Sequence, residues 1–206
     1  DDDLVTSLRP EELEDGLQRR SIYQKVVPLD MKMRYKMDVV VKDLTTGKTG
    51  VLRQAIVPPR FNDSTIAASS FILSDSIEVL ENVPDVDEMF VLGDVKVRPS
   101  LSNEFPRGQD LGLYFHVYNM GIDQSSLTPA LSVKYRLMKG GELLREIVVE
   151  DGESVQFFTN RRAVLVKVFA LGELPQGEYQ IQVEIEDRLL DQQLHLAERF
   201  SVKTSG

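Results

Sequence analysis

A chain of 206 residues, 42% apolar and 28% charged, carries enough apolar side chain to fill a core, which excludes wholesale disorder. Its 24 Lys and Arg against 33 Asp and Glu leave a formal net charge of −9, without the basic excess that nucleic acid or an anionic membrane surface requires. The absence of cysteine excludes disulfides, a thiolate nucleophile and any thiolate-bound metal.

The opening "DDDLVTSLRP" is acidic where an export signal is basic and then apolar. A chain that starts Asp-Asp-Asp reads as a mature protein or as a fragment of a longer one, and an internal repeat between residues 34–43 and 178–187 favours the fragment. Residues 8–20, "LRPEELEDGLQRR", combine Pro10 in a first-turn position with early acids and late arginines, so a short helix or turn is expected there. In "YKMDVVVKD" the period changes to two. Tyr35, Met37, Val39 and Val41 share a face, the mark of a half-buried antiparallel strand. "VLRQAIV" at 51–57 can pair with it until Pro58-Pro59 removes the ladder donors.

Between these strands lies Gly47-Lys48-Thr49, the end of a phosphate-loop motif. The position where that motif needs its first glycine holds Lys42. Residues 49–59, "TGVLRQAIVPP", are β-branched and end in two prolines, with no helix to supply N–H groups. A hairpin turn is the expectation.

"TIAASSFIL" and "SIEVL", at 65–80, are weaker strand candidates. The acidic run "ENVPDVDEM" at 81–89 reads as a boundary, dividing a partial or small β unit (1–84) from a second domain (85–206). Asp85, Asp87 and Glu88 cluster in this linker. Carboxylates between sandwich domains can hold Ca²⁺, although the run lacks the spacing of a defined calcium loop.

Strand-like runs then occur at 91–98, 111–119, 131–138, 143–149, 163–171, 178–187 and 193–202, separated by turn residues such as Lys139-Gly140-Gly141 and Pro175-Gln176-Gly177. Seven short strands in this span predict an immunoglobulin-like sandwich. Leu111, Leu113, Phe115 and Val117 share one face, as do Leu131, Val133, Tyr135 and Leu137, and Tyr179, Ile181, Val183 and Ile185. The most apolar window, 163–171, is short and carries Lys167, so no membrane span is expected.

"RYKMDVVVKD" (34–43) is echoed by "EYQIQVEIED" (178–187): a charge, Tyr as the first of four alternating apolar positions, and Asp eight residues after the Tyr. In a sandwich this is the penultimate strand, its tyrosine near a tyrosine corner. The first copy therefore reads as the end of an earlier sandwich whose start lies outside the chain, with a self-contained smaller β unit as the alternative.

Candidate chemistry is sparse. His116 and His195 each alternate with apolar neighbours in a strand, and neither a G-x-S-x-G elbow nor an H-E-x-x-H pair is present. No catalytic residue, metal or cofactor is assigned. On the face of the 111–119 run opposite the core stand Tyr114, His116 and Tyr118, a candidate docking patch for a carbohydrate or peptide. A hydrolase would need two clustered carboxylates in a cleft.

Taken in order, "VVVKDLTTGKTG", "IVPPRFNDSTIAASSFILSDSIE", "FVLGDVKVRPSLSNEF" and "LGLYFHVYNMGID" make the chain resemble the C-terminal region of large bacterial GWxTD-domain proteins, from about Ile22 to Val202. The GWxTD motif itself is absent, since the chain has no Trp, so the resemblance implies a piece downstream of that domain. It implies no reaction and no catalytic residues. It does imply an extracytoplasmic setting (periplasmic, cell-surface or secreted) and a longer parent chain. The expected protein is mainly β, a partial or smaller β unit followed by an immunoglobulin-like antiparallel β-sandwich. Its expected role is structural or interactive, its partners being other domains of a parent chain or other subunits, joined by edge-strand addition.

Overall fold

The computed structural model describes residues 23–44, 46–81, 90–92, 95–150, 155–159, 161–172 and 174–204, and among them the only regular structure is β. The expected helix or turn at 8–20 and the Asp85–Asp87–Glu88 cluster lie outside the described residues.

The first two strands, β1 (Tyr35–Lys42) and β2 (Thr49–Ile56), form a two-stranded antiparallel hairpin with Tyr35 opposite Ile56 and Val39 opposite Leu52. Gly-Lys-Thr is its turn. Gly47 N donates to Asp43 O at 2.8 Å, Asp43 N donates to Lys48 O at 2.9 Å, and Gly47 takes a φ of 71°, which costs glycine nothing. The Thr46 and Gly47 N–H groups, which a phosphate would need, are bound within the turn.

The remaining strands form a two-sheet sandwich. They are β3 (Ala67–Ala68), β4 (Ile72–Val79), β5 (Val91–Leu92), β6 (Val95–Pro99), β7 (Glu104–Pro106), β8 (Asp110–Tyr118), β9 (Leu131–Lys139), β10 (Glu142–Val149), β11 (Val155–Thr159), β12 (Arg162–Ala170), β13 (Gly177–Asp187) and β14 (Gln192–Lys203). One sheet runs β10-β9-β13-β14-β7, antiparallel except for β7 beside β14. The other runs β11-β12-β8-β4-β6-β5, with β3 also paired to β8. In immunoglobulin order β8 to β14 occupy the places of strands B, C, C′, D, E, F and G, and β4 takes the place of strand A beside B.

That placement of β4 crosses the expected boundary at 84/85. Ile72, Leu73 and Ser74 pair with Tyr114, Leu113 and Gly112, while Ser76 to Val79 pair with Arg98 to Val95. Residues 67–79, expected in the first unit, are therefore strands of the sandwich. The β4 register shifts between Ser74 and Ser76. The buried Ser74 hydroxyl lies 2.6 Å from the carbonyl oxygens of both Ser76 and Arg98, stitching the bulge to β6.

Between the sheets the three alternating sets predicted from sequence are buried together, joined by Phe105, Leu165, Phe169, Phe200 and Val202. At about 1.5–3 kcal/mol per fully buried large apolar side chain, this core outweighs surface ion pairs worth about 0–1 kcal/mol. One such network is Arg136 with Glu146 and Glu184, on the sandwich's outer face. A second, smaller cluster of Val95, Val97, Tyr114 and Val164 lies on the other face of β8. The central strand is thus covered on both sides.

Candidate functional site

The sequence pattern puts Tyr114, His116 and Tyr118 in a row on β8, and the structure joins them. His116 Nε2 is 2.7 Å from the Tyr114 hydroxyl and its Nδ1 is 3.2 Å from the Tyr118 hydroxyl. A neutral imidazole donates from one nitrogen and accepts at the other, so it can satisfy one tyrosine as donor and the other as acceptor. Burial holds the His116 pKa below its ordinary value, and the nearby Arg162 charge pushes the same way. Burial raises the Tyr118 phenol, with Arg162 opposing. The row is therefore an uncharged hydrogen-bonded ladder at neutral pH.

Residues far away in sequence pair and pack beside the ladder. Ser69 N donates to His116 O at 3.0 Å, and His116 N donates to Ser69 Oγ at 2.9 Å. The Phe61 ring lies 5.2 Å from that of Tyr118, and Asn119 Nδ2 donates to Asn62 O and Thr65 O. Tyr114 retains 3% of its surface. The strand alternation is as predicted: Tyr114 packs with Val95, Val97 and Val164, while His116 and Tyr118 are half-buried. Buried tyrosine hydroxyls need partners, and the ladder supplies them.

His195 stands apart, exposed on β14 opposite Glu184. Among the described residues no three His, Cys, Asp or Glu side chains are grouped to hold a metal. Two open clefts flank the sandwich. One, about 510 Å³, is lined by Gly121, Ile122, Asp123, Gln124, Arg161, Leu189 and Leu190. Asp123 is its single carboxylate. Hydrogen bonds from the Ser125 side chain and from the Ser126 and Ser125 backbone hold its pKa down to about 2, unlike a general acid. Another, about 470 Å³, is lined by Leu137, Leu144, Arg145, Ala170, Leu171, Gly172 and Leu174 among the described residues.

One buried polar centre escaped the reading of sequence patterns. Asp187, fully buried, accepts Gly121 N at 2.6 Å and the N–H groups of Leu189 and Leu190 at 3.0 Å. Its signal was present in the echo, as the Asp eight residues after Tyr179. The geometry assigns it to holding a turn.

No family model and no curated protein matches the chain. Among solved structures it is similar to a family 123 glycoside hydrolase from Clostridium perfringens, at 13% identity and a TM-score of 0.37. That match covers 68% of this chain and 28% of the hydrolase. Among the described residues no helix is long and apolar enough to cross a membrane.

Proposed function

We propose that this chain is a non-catalytic structural or interaction module of an exported multidomain or self-assembling surface protein. The observation that carries the reading is the edge strand β10. Among the described residues it pairs with β9 on one side only, and it exposes Leu143, Leu144 and Val148. A long apolar edge with unpaired backbone groups is a template for a strand from another chain. Its bulge at Leu143/Arg145 twists one end, leaving the stretch to Val149 regular. The extracytoplasmic setting rests on the resemblance to GWxTD-domain proteins.

Light scattering behind a sizing column tests the assembly role. The wild-type chain associates as its concentration rises, and Leu144→Lys/Val148→Lys lowers the association constant by about tenfold or more, because lysines on an edge oppose pairing. A wild-type chain that stays monomeric at every concentration overturns self-assembly. Fractionation of the source cells tests the compartment, and recovery in the cytoplasm overturns export.

A further inference from the structure

The β1–β2 hairpin repeats the β13–β14 hairpin in detail. Tyr179 OH donates to Pro175 O, four residues upstream, at 2.6 Å. Tyr35 OH does the same five residues upstream, donating to Asp30 O at 3.2 Å and accepting Asp30 N at 2.7 Å. At the far end of the strand Asp187 Oδ1 accepts the N–H three residues on, from Leu190, and Asp43 Oδ1 accepts the N–H three residues on, from Thr46. Both turns then lead into an antiparallel partner.

The surroundings of the two hairpins differ. Ile181, Val183 and Ile185 pair with Leu137, Tyr135 and Val133 of β9 and are 0–1% exposed beneath the opposing sheet. Of their counterparts Met37 is half-buried, Val39 and Val41 are 38% and 66% exposed, and Leu52 beside Val39 is 58% exposed. The hairpin's other face carries the Lys36–Asp38 and Arg53–Asp38 ion pairs beside Val40 and Val51, so the side bearing Val39, Val41 and Leu52 is the one that matches the buried side of β13, and it is uncovered. Among the described residues β1 has a single strand neighbour. A two-stranded sheet without cover is marginal in water.

We infer that β1 and β2 are the closing F–G hairpin of a second immunoglobulin-like sandwich. Its missing strands, supplied by the same polypeptide on the N-terminal side, seat on this face. The strand on the free edge of β1 runs antiparallel to it, as β9 does to β13, and presents alternate apolar side chains to Met37, Val39 and Val41. This rests on the module reading above and names one of its surfaces. The same polypeptide is chosen because the intact copy is built that way: β8 to β12 precede their own closing hairpin in one chain.

Hydrogen exchange read by mass spectrometry on the 206-residue chain and on the full-length gene product tests it. In the full-length product the amides of residues 35–42 exchange about 100-fold more slowly than in the 206-residue chain, while β13 is unchanged. Val39→Lys in the full-length product removes that protection and leaves β13 protected. Equal exchange in the two proteins overturns the inference. So does hairpin protection that appears in the 206-residue chain as its concentration rises, which assigns the face to a second copy. Either result, with association through β10 intact, removes this surface and leaves the module reading standing.

Discussion

The buried carboxylate of Asp187 accepts the backbone N–H of Gly121 across 66 residues of sequence, at 2.6 Å. With its bonds to Leu189 and Leu190 it ties the turn between β13 and β14 to the segment that leaves β8. Asp187→Ala leaves three backbone donors without this acceptor and is expected to cost about 2–4 kcal/mol. Urea unfolding followed by circular dichroism reads this as a lower midpoint at unchanged slope. Asp187→Asn keeps one carbonyl acceptor and is expected to fall between the two.

Gly112 on β8 faces the bulge of β4. A Cβ there would stand 2.6 Å from both Cγ1 and Cδ1 of Ile77 and 3.2 Å from Ser74 Cβ. Gly112→Ala is expected to destabilise by about 1–3 kcal/mol through overpacking. Shortening the opposing side chain should relieve the clash. The cost of Gly112→Ala measured in an Ile77→Ala background is therefore smaller than in the wild type, and a double-mutant cycle in urea checks the sign.

His116 gives the stability a pH dependence. Its folded pKa lies below the unfolded value, so the unfolded chain binds the proton more readily. The stabilisation is complete above the ordinary histidine value of 6.5 and is lost as pH falls from there through the folded pKa. Unfolding free energies between about pH 8 and pH 5 should decline toward acid, and His116→Gln should flatten that part of the profile. An unchanged slope in the variant assigns the decline to other groups.

The two tyrosines test whether the repeated hairpins are equally integrated. Tyr179→Phe removes the bond to Pro175 O and the one from Lys139 Nζ, and is expected to cost about 1–2 kcal/mol in global unfolding. Tyr35→Phe removes the bonds to Asp30 in the uncovered hairpin. It is expected to leave the main unfolding midpoint of the 206-residue chain within about 0.3 kcal/mol of wild type, since local opening there is already cheap. Equal losses would show the hairpin unfolding as one unit with the sandwich.

Much of the sandwich was legible because its signal is local. A strand buried on one face must alternate, so β8, β9 and β13 announced both their existence and their inward residues, and each is found buried as expected. The turn chemistry of Asp43 to Gly47 was readable for the same reason. Short strands carry too few residues to show a period, and β7 and β11 went unmarked. The candidate site was half legible. Alternation put Tyr114, His116 and Tyr118 on one face, yet nothing in those residues told whether that face met water.

Residue order settles, unaided, the period-two pattern, the mainly β class and the twin hairpins marked by Tyr35 and Tyr179. All three come from side-chain direction along a strand and from hydrogen bonds spanning a few residues. Tertiary structure alone decided that β4 joins β8 rather than the preceding hairpin, that Ala67 to Ser69 pair beside His116 to Tyr118, and that Asp187 reaches Gly121. Those are choices among distant partners with similar local propensity. They are made by which pairing buries the most apolar surface while satisfying every buried polar group, and that sum exists only for the assembled chain.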